Sequence, residues 1–332
     1  MSADEIRWGI CSTGTIAGQF AQALTRVPDA RLAAVSSRSQ EKADAFAAEH
    51  GATRAYAGLA AMLADPDVDV VYIASPHTEH CREALQVVEA GKHVLVEKPF
   101  GLSAAQAEPV FEAAARSGSF VMEALWSRFL PAHVRLRELV ADGVIGDVVG
   151  VHASFGFPFP DVRDHRLLAR ELGGGALLDL GIYSVNTAMQ LLGAPSTVTA
   201  HAAMGPTGVD VNTSVVLGFP SGAVATASCS LVGFDPSVAT VVGTRGNIAL
   251  GTPQHCPEYL VVTTGDFATR RIESERLEVP TGGDGLRYQV HEVHECLRRG
   301  AQQSEVMSWQ HTRELMTVLD RARECIGLDY DV

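Results

Sequence analysis

The stretch IRWGICSTGTIAGQF, residues 6–20, decides the fold. Residues 6–10 read as a short apolar strand, and a helical pattern begins at Thr15. The turn between them is Ser12-Thr13-Gly14-Thr15-Ile16-Ala17. It is close to the G-x-G-x-x-G/A pattern of a dinucleotide-binding turn, with serine where the first glycine belongs. Gly14 lets the backbone approach a pyrophosphate, Ala17 allows close helix–strand packing, and the N–H groups of the helix start suit phosphate. A degenerate fingerprint alone fits any tight strand–helix turn, so the surrounding chain has to decide.

Outward from this turn, short apolar runs alternate with helical patterns up to about residue 125. Strands are expected at 31–37, 68–75, 92–97 and 119–124, with helices near 15–26, 41–50, 79–90 and 103–117. Alternation of this kind predicts a parallel sheet, and the continuous apolar runs fit burial on both faces. After Trp126 the texture changes. Pro131 suits the first turn of a helix to about Ala141. Extended segments follow at 148–157, 197–204, 213–219, 223–232, 238–243, 259–265 and 271–279. A helix near 175–192 interrupts them, and two more, near 286–299 and 304–326, end the chain. The expected fold is an α/β Rossmann domain over 1–125, followed over 126–332 by an α+β domain with a large, open-faced, mostly antiparallel sheet.

The strand ends carry the chemistry. An NAD enzyme places an acid about 20 residues after the glycine turn, to hold the ribose 2′-OH. Here the second strand ends in Ser36, Ser37, Arg38 and Ser39. Hydroxyls and a guanidinium suit a 2′-phosphate, so NADP is expected over NAD. Ser75, Pro76, His77 and His80 follow a later strand, where ligands of open α/β sheets sit. Their spacing does not make a zinc pattern, so no metal is expected. Next comes GKHVLVEKPF, residues 91–100. Glu97, Lys98 and Pro99 stand at the end of a buried strand, where an ammonium without partners is costly. A lysine at the mouth of a cofactor crevice is a functional candidate; the bland alternative is a surface lysine.

Composition excludes other classes. With 46% apolar and 20% charged residues the chain is an ordinary globular protein. A net charge of −13 argues against nucleic-acid or anionic-membrane binding. The segment MSADEIRW, with Asp4 and Glu5, has no apolar core of a secretory signal, and no apolar run is long enough to span a membrane. The six cysteines are scattered without a C-x-x-C pair, which fits reduced thiols in the cytoplasm.

GICSTGTIA, GKHVLVEKPF and GGGALLDLGIYSVN (173–186) together resemble the glucose–fructose oxidoreductase / inositol dehydrogenase / MocA family. YIASPHTEH, MEALWSRF, TGVDVN and VVGTRGNI extend the likeness over nearly the whole chain. The texture is most similar to the branch of NADP-dependent dihydrodiol and D-xylose dehydrogenases. The resemblance implies hydride transfer between a nicotinamide and a sugar-like or cyclic alcohol carbon, with Lys98 beside the substrate. Asp179 and Tyr183, four apart on a helix, would share a face. Tyr183 stands where many relatives have histidine. A phenol titrates near ~10, so acting near neutral pH needs a cation that favours the phenolate, and Lys98 is the candidate. An arginine before the glycines would bind substrate, and Arg163 and Arg166 both remain open. Trp126, Phe155 and Phe157 are candidates for an apolar pocket wall. A homodimer through the C-terminal sheet is expected. Two alternatives stand beside this reading: a catalytically silent NADP-sensing regulator, and an aldose–aldose oxidoreductase with permanently bound cofactor.

Overall fold

The computed structural model describes residues 5–266 and 268–330; Asp4 of the N-terminal reading lies outside them. Strands β1 (Ile6–Cys11), β2 (Ala30–Ser37), β3 (Arg54–Ala57), β4 (Val70–Ile73), β5 (His93–Glu97) and β6 (Val121–Ala124) form one parallel sheet in the order β3-β2-β1-β4-β5-β6. Helices α1 (Thr15–Leu24), α2 (Gln40–His50), α3 (Leu59–Leu63), α4 (His80–Glu89) and α5 (Ala104–Ser117) connect them. Trp8, Ile10, Val70, Val71, Tyr72 and Leu95 are fully buried, as strands covered on both faces require. The strand order reverses between β1 and β4, which is where a doubly wound sheet opens a ligand crevice at its carboxyl ends. The edge strand β3 and the short α3 were not anticipated. RAYA has no apolar run, because an edge strand is covered on fewer sides than a central one.

The serine in the glycine turn has a structural consequence. Ser12 adopts φ 102°, and its N–H donates to Ser36 O at 2.9 Å. Such a backbone costs a non-glycine residue about 1–3 kcal/mol. Glycine would relieve this but lose about 0.5–1 kcal/mol to its larger unfolded-state freedom. Relief wins, so Ser12→Gly is expected to stabilise by about 1 kcal/mol, raising the unfolding midpoint by roughly 2–4 °C. Thermal unfolding followed by circular dichroism checks this; an unchanged or lower midpoint refutes it.

Beyond Trp126, α6 (Pro131–Ala141) has its proline in the first turn. Strand β7 (Val148–Gly156) leads to a π turn, Leu177–Gly181, and then α7 (Ile182–Leu192). β8 (Thr197–Met204), β9 (Asp210–Gly218), β10 (Val224–Ser230), β11 (Ala239–Gly243), β12 (Gly246–Leu250), β13 (Tyr259–Asp266) and β14 (Arg271–Glu278) complete the second sheet, ordered β14-β13-β12-β11-β7-β10-β9-β8. β7 and β10 run parallel; the other pairs are antiparallel. β9 starts at Asp210, three residues earlier than its apolar pattern suggests, because Asp210 is buried through hydrogen bonds rather than apolarity. The inner-face residues Val151, Val215, Ala225, Val241 and Ile248 are buried. The opposite face carries the row Thr199, Val216, Thr226, His152, Thr240, Ala249 and Val261, uncharged until it reaches Arg276 on β14.

Helices α8 (Arg287–Arg298) and α9 (Trp309–Ile326) end the described chain. Two compact units result: residues 1–126 with 284–313, and 127–283 with 314–332. A single boundary near 125 therefore does not describe the packing, since α8 returns to the first unit and the second division falls inside α9. The reason is specific contact: Trp8 Nε1–H donates to His294 Nε2 at 3.0 Å, and His294 Nδ1 meets Asp29 at 3.0 Å. His294 is thus a satisfied core histidine, and burial holds its pKa down at about 4. Among the described residues no helix is long and apolar enough to cross a membrane.

Candidate active site

The first unit's share begins at the β1–α1 turn. Gly14 caps α1 with extended backbone and no side-chain bond, so the helix start keeps outward N–H groups. Gly14 and Thr15 are exposed, and Ser12, Thr13 and Ile16 are half-buried. A Cβ on Gly14 would meet only Ser12 Oγ, at 3.8 Å, so the space beside this glycine is open. Ala17 is fully buried, as close packing onto the strand requires. These features fit a dinucleotide diphosphate. At the end of β2, Ser37 Oγ accepts from Ser39 N, and Ser39 caps α2. Arg38 is exposed at this turn, and among the described residues it makes no ion pair.

Around β4 and β5 several candidate side chains are occupied internally. Ser75 Oγ donates to Glu83 at 2.6 Å, and Cys11 Sγ lies 3.5 Å from the same carboxylate. Burial raises the Glu83 carboxyl above its ordinary range, and nothing in the sequence singled it out. Pro76 precedes a single turn, His77–Glu79; the buried His77 ring lies edge-on to His80 at 5.6 Å. His80 is 0% exposed, with Nδ1 2.8 Å from Pro99 O and Nε2 2.9 Å from Ser75 O. It joins the ends of two neighbouring strands. Among the described residues no cluster of His, Cys, Asp or Glu could hold a metal ion.

The Glu97-Lys98-Pro99 turn is held on every side. Glu97 is buried; its carboxylate accepts from Tyr72 OH and from Lys98 N. Glu123 of β6 accepts from Phe100 N at 2.9 Å and from Thr312 of α9 at 3.0 Å. The backbone bearing Lys98 is thereby fixed by buried side chains from β4, α4, β6 and α9. Lys98 itself is half-buried, as is Trp126 at the end of this segment.

The second unit contributes the helix of GGGALLDLGIYSVN. The spacing of Asp179 and Tyr183 predicts one face of an α-helix, but Asp179 lies in the π turn and Tyr183 in α7. Such a single π turn often marks a functional segment. Asp179 is 5% exposed and accepts from Arg166 Nη1 at 2.9 Å. Arg163 instead pairs with Asp161 at 3.7 Å on the surface. Tyr183 is 6% exposed, with its ring edge-on to Phe155 at 5.7 Å. His255 stacks on Phe155 at 4.1 Å and lies 5.2 Å from the Tyr183 ring. Phe157 follows at 6.2 Å from Phe155. Below them Thr187 Oγ1 donates to Tyr183 O at 2.9 Å and lies 3.0 Å from Gln254 Oε1. His133 donates from Nε2 to Gln254 O and accepts at Nδ1 from Gln190, which makes it neutral; burial lowers its pKa to about 4. Sequence reasoning missed His255 and Gln254, which lie in the connection between β12 and β13 and carry no periodic signal.

Both parts of the chain match known domains. The oxidoreductase family with an NAD-binding Rossmann fold matches residues 6–125, and the GFO/IDH/MocA C-terminal domain matches residues 133–249. The chain belongs to the GFO/IDH/MocA oxidoreductase family. Trans-1,2-dihydrobenzene-1,2-diol dehydrogenase of Xenopus laevis is 34% identical over 98% of this chain and 99% of its own. That of Mus musculus is 35% identical over 98% of each. Among solved structures, the 3-ketoreductase KijD10 from Actinomadura kijaniata, in complex with NADP, superposes with TM-score 0.83 at 25% identity, covering 97% of this chain and 98% of its own. Levoglucosan dehydrogenase, at TM-score 0.88 and 19% identity over 97% of each chain, shares the fold.

Proposed function

We propose that the protein is an NADP-preferring dehydrogenase that interconverts a hydroxyl and a carbonyl on a cyclic diol or sugar. The observation that carries this is the likeness to dihydrodiol dehydrogenases over 98% of the chain, which takes in the segments of Lys98, Asp179 and Tyr183 together. Ser12, Thr13, Gly14, Thr15 and Ile16 would receive the diphosphate, Ser37 and Arg38 the 2′-phosphate, and the segments Ser75–His77 and Glu97–Lys98 would line the nicotinamide half, while the fully buried His80 holds Ser75 and Pro99 from behind rather than touching the cofactor. When bound, the nicotinamide accepts or donates hydride at its C4. In oxidation Tyr183 takes the hydroxyl proton, and Lys98 stabilises negative charge on that oxygen and favours the phenolate. Asp179, held by Arg166, orients the reacting group by hydrogen bonding. Trp126 and Phe155 would contact the substrate's carbon skeleton. A screen of NADP reduction across dihydrodiols, pentoses, hexoses and inositols tests this: activity is expected with a cyclic diol or a sugar, and silence with every class refutes it. A silent regulator is not favoured, because Lys98, Asp179 and Tyr183 are all present. A permanently bound cofactor is tested by nicotinamide absorbance of the purified protein, expected to vanish on dialysis.

NADP preference rests on the acid-free end of β2 and on Arg38. A charge-assisted phosphate contact contributes about 1.5–3 kcal/mol, or roughly ten-fold or more in affinity. Arg38→Ala should raise the Michaelis constant for NADP by about that factor and leave that for NAD nearly unchanged. Equal loss with both cofactors sinks the assignment.

A homodimer through the second sheet is supported by its outer face, whose row through Val216 is uncharged as far as Arg276 on β14, and where Val216 and Val224 remain 43% and 48% exposed. Multi-angle light scattering at micromolar concentration is expected to give twice the 35.3 kDa chain mass; the chain mass itself would rule the dimer out. A cytoplasmic location is inferred from the scattered spacing of the six cysteines, which holds no C-x-x-C pair. Fractionation that finds the protein in an oxidising compartment would refute it.

A further inference from the structure

Between Gly173 and Leu177 the chain turns sharply into the π turn. Gly175 adopts φ 131°, and a Cβ there would stand 2.4 Å from Asp210 Oδ1 and 3.1 Å from Tyr330 OH. Three segments remote in sequence therefore converge on this glycine. Asp210, fully buried at the start of β9, accepts at Oδ2 from Leu177 N at 2.7 Å and from Thr213 Oγ1 at 2.6 Å. Leu177 is the first residue of the π turn, which has no capping side chain from its own segment. A distant carboxylate thus satisfies a helix-start N–H and complements the helix dipole. Tyr330, near the end of the chain, is buried, and its hydroxyl donates to Gly174 O. The tail that carries it is tied down as well: Arg170 Nη2 donates to Asp329 O at 2.6 Å, and Leu328 N donates to Arg323 O at 3.0 Å.

We propose that Asp210 and Tyr330 are positioning residues, which together fix where the helix bearing Asp179 and Tyr183 begins. This rests on the assignment of Tyr183 as the proton-transferring group. Successive residues of an α-helix are turned by about 100°, so a start displaced by one residue would aim the phenol elsewhere. Even ~1 Å of misplacement can cost about 10²-fold in rate. Neither residue needs to touch substrate, and neither belongs to the cofactor-binding unit.

The test compares Tyr330→Phe, Asp210→Asn and Asp210→Ala with wild type and with Tyr183→Phe. Turnover, the Michaelis constant for NADP, NADPH affinity by fluorescence titration, and amide hydrogen exchange over residues 174–183 are measured on the folded full chain. Tyr330→Phe keeps the ring and loses only the bond to Gly174, so a folded protein is expected. Its turnover should fall at least about ten-fold, with NADPH affinity within about two-fold and faster exchange over 174–183. Asp210→Asn keeps an acceptor for Leu177 N, so it should recover part of the activity that Asp210→Ala loses. Unchanged exchange in Tyr330→Phe and Asp210→Asn overturns the clamp whatever the activity. Faster exchange with wild-type turnover, while Tyr183→Phe is inactive, reduces both residues to a structural role and overturns the positioning proposal. An active Tyr183→Phe instead sinks the catalytic assignment, and the positioning proposal with it, by a separate reading.

Discussion

Tyr183→Phe is expected to lower turnover by at least about a hundred-fold, while NADPH affinity stays near that of wild type. General acid–base catalysis contributes about 10²–10⁴-fold, and the variant removes the proton-carrying oxygen while keeping the ring. The ring's contacts with Phe155 and His255 are apolar or stacking contacts and survive the change. Loss of turnover without loss of cofactor affinity marks an interaction made in the reaction rather than in binding. Steady-state kinetics beside a fluorescence titration of NADPH decides the matter. Near-wild-type turnover would mean that another group moves the proton, with His77 or Asp179 the next to substitute.

Lys98→Met should cost a comparable factor in turnover. Methionine keeps the unbranched stem and removes the ammonium, so packing changes little and charge stabilisation of the substrate oxygen is lost. The turn should keep its shape, because Glu97, Glu123 and His80 hold its backbone. If Lys98 favours the phenolate, the residual pH–rate profile moves to higher pH, since a phenol without a cationic neighbour ionises less readily. A variant with lowered turnover but an unmoved profile confines Lys98 to the substrate oxygen. Wild-type turnover removes it from the mechanism.

Much of the first unit was legible in the chain. The apolar runs around Ile10, Val71 and Leu95 are buried on both faces, so their character depends only on being central strands, which a one-dimensional pattern reports. The places of Gly14 and Arg38 after β1 and β2 were legible for a similar reason, a fixed offset along one strand–turn–helix unit, and their cofactor roles are the proposal that Arg38→Ala tests. The edge strand β3, the late start of α9 and the early start of β9 escaped because edges and caps lack that pattern. The helix near 175–192 was visible as a helix, but its π turn was not, since one extra residue in a turn leaves the apolar stripe nearly intact.

By itself the sequence determined the two sheet types, the alternation of central strands and helices over the first 125 residues, and the residue types at the strand ends, because each is a local periodicity or a local spacing. Only the tertiary structure decided that α8 packs with the first unit, that Arg166 rather than Arg163 meets Asp179, and that His255 stacks beside the aromatic pair Phe155 and Tyr183. It also decided that His80 and Glu97 hold the Lys98 turn, and that Asp210 and Tyr330 meet at Gly175. These contacts join polar and aromatic residues that no periodicity links. Their partners are chosen by hydrogen-bond geometry and burial, which exist only once the chain has folded.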